Sequence, residues 1–91
     1  MNTPPPSSVL PPIAIRDLSV LSYACGFTYW CYRAPELAWH LVDMNALAAL
    51  GIVKHGDVVL VSAEDGAGQY FVDKHGPKPV LRAMISTPIH R

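Results

Sequence analysis

Charge is scarce in this chain. Seven basic and seven acidic side chains make up 15% of its 91 residues and cancel to a formal net charge of zero. No run of lysine or arginine occurs, which argues against nucleic acid as a main partner, because binding phosphate needs a concentrated positive surface. Long apolar runs are absent too. The longest, Ala46 to Val53, has eight residues, far short of the ~20 that span a bilayer. No charged segment precedes an apolar one at the start, so no signal peptide is expected. Two cysteines, Cys25 and Cys31, are too few for a disulfide framework and are not spaced as C-x-x-C. The expected setting is cytosolic, with reduced thiols.

The apolar fraction, by contrast, is 51%. A chain of this length forms one domain and buries only about 60–65% of its unfolded surface. High apolar content with little charge therefore has two readings. Some apolar surface is buried against another chain, or an ordinary core sits under a polar, uncharged surface.

Along the chain, Pro4, Pro5, Pro6, Pro11 and Pro12 crowd the first twelve residues. Such a segment favours polyproline II and enters neither helix nor central strand. Residues 1–15 read as a tail or as an extended arm on a neighbouring subunit, with Val9, Leu10, Ile13 and Ile15 as anchors. Residues 16–91 form the single domain. Arg16 to Ser22 reads equally as a short strand or one helical turn. Phe27 to Arg33 is aromatic and β-branched without glycine or proline, and so a strand. Its alternation puts Phe27, Tyr29, Cys31 and Arg33 on one face and Thr28, Trp30 and Tyr32 on the other. Both faces carry large side chains. One fills the core, and the other lies under a loop or meets a partner.

Pro35 ends that strand. A helix is expected over 44–50, capped by Asp43 and closed by Gly51 in a left-handed conformation, with residues 36–42 open between helix and loop. Gly56-Asp57 then turns the chain into a strand over 57–63, apolar on both faces and so expected to be covered on both sides. Gly56 supplies a positive φ and Asp57 bonds its own backbone there. A loop over 63–68, a strand over 69–73, a turn over 74–79 and a strand over 80–85 complete an antiparallel meander. The fold class is α+β: a small, mostly antiparallel sheet of four to five strands with one short helix, barrel-like or meander.

Chemistry is sparse. His40, His55, His75 and His90 show no ligand spacing with one another or with the cysteines, so no metal and no other cofactor is expected, and His55 and His75 read as solvated turn residues. Cys31, inside an aromatic strand, reads as a small hydrophobe. Glu64-Asp65 reads as a solvated pair, and Gly66-Ala67-Gly68 lacks the helix that a phosphate loop needs. The chain is not expected to be an enzyme. Trp30, Tyr32, Tyr70 and Phe71, with Val9, Leu10 and Ile13 of the arm, are the candidate interface.

Leu21-Ser22-Tyr23-Ala24-Cys25-Gly26-Phe27-Thr28-Tyr29-Trp30-Cys31-Tyr32-Arg33 resembles the "LSYANGFTLWHYRT" opening of small structural proteins of tailed bacteriophages and prophages. Lys54-His55-Gly56-Asp57-Val58-Val59-Leu60-Val61 resembles their "LRVGDVILV" segment. The likeness spans roughly residues 20–84, with Cys25 and Cys31 standing where that family has Asn and His. It implies a non-enzymatic virion accessory subunit, a decoration, fibre-base or tail component, assembled in the bacterial cytoplasm. Its partners are then copies of itself, a trimer among the forms, and other virion proteins, with no nucleic acid or membrane. The alternative is a small cytosolic binding module that regulates a host protein.

Overall fold

The computed structural model describes residues 10–84. Five strands form one sheet: β1 (Leu18–Ala24), β2 (Phe27–Ala34), β3 (Val58–Ala63), β4 (Gly66–Asp73) and β5 (Val80–Ala83). They lie side by side in chain order. All neighbours are antiparallel except β2 and β3, which run parallel with Tyr29 opposite Val58 and Tyr32 opposite Val61. The sheet is thus open and mixed, and its last three strands are the expected meander.

A parallel pair cannot be joined by a tight turn, so residues 35–57 cross over one face of the sheet. This crossover holds a 3-10 turn, Trp39–Leu41, and one helix, α1 (Met44–Ala48), which lies against β5. The two stretches left open by the sequence both resolve into mixtures. Residues 36–42 are irregular around the 3-10 turn. At 16–22, a 3-10 turn over Ile15–Asp17 runs into β1, so helical turn and strand are both present.

Helix α1 begins as expected, with Asp43 Oδ1 accepting from Ala46 N at 3.0 Å. It ends early. Ala49 closes it in a right-handed conformation, and Gly51 does not take the expected positive φ. The following residues turn by Leu50 N donating to Leu47 O and Val53 N to Leu50 O, which use the last carbonyls without a left-handed residue. Gly56 does take φ 91°, so a residue with a side chain there would be strained.

The core lies between the sheet and the crossover. Trp30, Tyr32 and Ala34 of β2, Val59 and Val61 of β3 and Val72 of β4 meet Val42, Leu47 and Val53 from the crossover. The other sheet face, with Tyr29, Cys31, Val58, Leu60 and Phe71 at alternate positions, has no layer over it among the described residues. The expectation that β3 is covered on both sides is therefore corrected. Val59 and Val61 are fully buried, while Val58 and Leu60 stay half-buried. Their partial shelter comes from neighbouring strands: Tyr29 Oη donates to Gln69 Oε1 at 2.8 Å, a bond from β2 to β4 that spans β3.

The expected loop over 63–68 is also corrected. Only Glu64 and Asp65 turn, and Gly66, Ala67 and Gly68 already pair with β3. Gly68 fits a strand because Trp39 lies on it: a Cβ there would stand 2.9 Å from the Trp39 ring. Trp39 in turn stacks on Tyr70 at 5.6 Å, and its backbone N–H donates to Asp65 Oδ1 at 2.7 Å. Burial under that ring pushes the Tyr70 phenol pKa up.

Candidate functional site

Asp57 is the one charged side chain among the described buried residues, at 4% exposure. Its carboxylate does far more than bond its own turn. Oδ1 accepts from Thr28 N and Oδ2 from the Trp30 indole and Lys54 N, each at 2.9 Å. Burial pushes its pKa up, but the Thr28, Trp30 and Lys54 hydrogen bonds and the Lys54 charge outweigh that, and the group falls below the ordinary aspartate value. Every lone pair in use points at this chain's own donors. Asp57 is thus a structural clamp that fixes the start of β3 to β2.

The candidate interface separates into three groups. Trp30 and Tyr32, at 7% and 2% exposure, are core residues, which corrects their place in it. Alternation along β2 turns both toward the crossover, and Tyr32 Oη also accepts from Ala14 N at 3.0 Å. Ile13 packs on the same core, so that anchor is used within its own chain. Tyr70 and Phe71 are half-buried, and of these only Phe71 lies on the uncovered face. Leu10 is exposed, and Val9 lies outside the described residues.

What the sequence reading passed over is β1. Among the described residues it is an edge strand, paired only with β2, and every residue from Ser19 to Ala24 is exposed. Leu21 and Tyr23 reach 50% and 79% exposure. The strand has no charge, no proline and no glycine. Natural edges usually carry charge, proline or a β-bulge to block pairing with another chain. A register shift between Val20 and Ser22 is the one irregularity in it. The signal was present in the string Leu18-Ser-Val-Leu-Ser-Tyr-Ala24, but only its place in the sheet gives it meaning.

A second cluster was hidden by sequence distance. His55, in the turn before β3, and His75, in the turn after β4, stack with ring centroids 3.8 Å apart. Asp73, at the end of β4, completes a group of three donor atoms that all lie within 4.8 Å of one another. Asp73 Oδ1 accepts from His75 N at 3.0 Å, and Oδ2 from Arg82 Nε at 2.6 Å. These two bonds hold its pKa below the ordinary aspartate value, with Arg82 the larger influence. His55 Nδ1 accepts from Lys74 N at 2.9 Å. The spacing rule that set metal chemistry aside counts neighbours along the chain, and here a twenty-residue separation is closed by the β3–β4 hairpin.

Compared with known proteins, the chain matches no protein-family model, no curated protein and no solved structure.

Proposed function

We propose that this chain is a non-enzymatic structural subunit that works by self-association and by docking on a larger assembly, as a virion accessory component of a tailed phage or prophage. The observation that carries the assembly half of this reading is β1: an exposed, uncharged edge strand of seven residues, Leu18–Ala24. Seven residues give an edge of about 23 Å, enough for a second strand to add its backbone hydrogen bonds while Leu21 and Tyr23 supply apolar contact. The uncovered face beside it, with Tyr29, Leu60 and Phe71, extends that surface across the sheet. The virion half is supported by the resemblance of residues 20–84 to phage structural proteins.

Mass measured by light scattering over a range of concentrations is the test. An oligomer is expected, broken to monomer by Leu21→Lys with the circular dichroism spectrum unchanged. A monomer at all concentrations would count against assembly and favour the small binding module that regulates a host protein. Deleting residues 1–12 is expected to weaken assembly while the domain stays folded.

A further inference from the structure

We propose that His55, Asp73 and His75 form a binding site for a first-row transition-metal dication of the zinc type. The donor set is the first support. Two imidazoles and one carboxylate suit zinc and its neighbours, whereas magnesium and calcium take all-oxygen shells.

Geometry is the second. Zinc bonds of about 2.0–2.2 Å in a tetrahedral shell put neighbouring donors roughly 3.3 Å apart. His55 Nδ1 and Asp73 Oδ1 stand 3.9 Å apart, and the three donors lie within 4.8 Å, so side-chain rotations that part the stacked imidazoles bring the three donors to that spacing. The metal takes the Nδ1 lone pair in exchange for the hydrogen bond from Lys74 N.

Rigid support is the third. The His55 turn is closed by Asp57 N donating to Lys54 O at 3.0 Å and fixed to β4 by Gly56 N donating to Val72 O at 2.8 Å. Arg82 occupies Asp73 Oδ2 and leaves Oδ1 facing the histidines, which makes it a positioning residue. Lys74, next to both, has its ammonium turned away onto the Leu50 and Val53 carbonyls. Both histidines are exposed, so the remaining coordination positions are open to water or to a ligand from another molecule.

The Arg82 charge works against a dication, and micromolar affinity is expected rather than the tighter binding of a closed structural site. This inference stands apart from the assembly reading, because it needs only the folded monomer.

The experiment is calorimetric titration of tag-free protein with zinc at about pH 7.5, repeated with magnesium, and with NMR of the imidazole signals to locate the ion. One zinc per chain is expected, with no magnesium heat and with shifts at His55 and His75. His55→Ala and His75→Ala are each expected to weaken binding by about tenfold or more, and Asp73→Asn by less, all with unchanged circular dichroism. No saturable binding at about 1 mM zinc would overturn the site. So would unchanged affinity in the double histidine variant, which places the ion on other donors such as Cys25 or His40.

Discussion

Strands β1 and β3 are written in nearly the same letters. Leu18-Ser-Val-Leu-Ser-Tyr-Ala24 and Val58-Val-Leu-Val-Ser-Ala63 are both uncharged, apolar and free of proline and glycine. Their fates differ completely. β3 has a strand on either side and the crossover above it, and Val59 and Val61 are fully buried. β1 has one neighbour among the described residues, and six of its own seven residues are exposed. Composition makes both stretches strands, but neighbours decide which of them is core. The difference also shows where selection would act on a monomer. A central strand needs no charge, whereas an edge strand without charge invites a partner.

The largest effect is expected where β3 is anchored. Asp57→Ala leaves Thr28 N, the Trp30 indole and Lys54 N without their acceptor in a buried place. That costs about 3–5 kcal/mol, and roughly 15 °C or more in melting temperature. The same clamp has a pH signature. Because its folded pKa is depressed, its stabilisation is fully present above the unfolded aspartate value and is lost as pH falls through the lower folded value. The stability gap between the native chain and Asp57→Asn is therefore expected to narrow below about pH 4, measured by urea unfolding from neutral to acid. A gap that widens on acidification would refute the clamp.

The comparison sharpens when one substitution is made in both strands. Val61→Ala is expected to cost about 2–3 kcal/mol, because it opens a cavity in a fully buried site. Val20→Ala in β1 is expected to change monomer stability by less than about 0.5 kcal/mol. Equal costs would mean that β1 is covered in solution. Gly68→Ala falls between these, at about 1–2 kcal/mol, since the Trp39 ring must lift from β4. Tryptophan fluorescence reports that shift directly.

Alternation, caps and turns are local, and these were legible in the sequence. The strand at β2, the Asp43 cap, the positive φ at Gly56 and the meander of β3 to β5 follow from residues within a few positions of one another. The parallel pairing of β2 with β3 was not legible, because period-two alternation does not say which neighbour a strand takes. Asp57 showed only its turn chemistry, since its other two partners, Thr28 and Trp30, lie on β2, 29 and 27 residues away. Trp30 and Tyr32 were misassigned to an interface for the same reason. Two aromatic faces were visible, but only the crossover decided which was inside. The strand character of Gly66 to Gly68 was masked by glycine, whose requirement comes from Trp39, far off in the chain. Both candidate sites belong to this second class. The β1 edge depends on the order of strands, and the His55–His75 pair depends on a hairpin.

The smallest effect expected on the folded chain is chemical, and it reads both sheet edges and interior at once. Cys25 lies exposed in the turn after β1, while Cys31 is buried in β2 on the face without a covering layer. A thiol reagent on the native protein is expected to consume one equivalent quickly at Cys25 and to reach Cys31 only as the sheet opens. Circular dichroism should not change after the first equivalent, since Cys25 is exposed. If assembly runs through β1, the Cys25 rate is expected to fall as protein concentration rises, because its turn joins the paired edge. Fast reaction of both thiols would mean that the uncovered face opens readily, and would weaken the case for a well-formed sheet on that side.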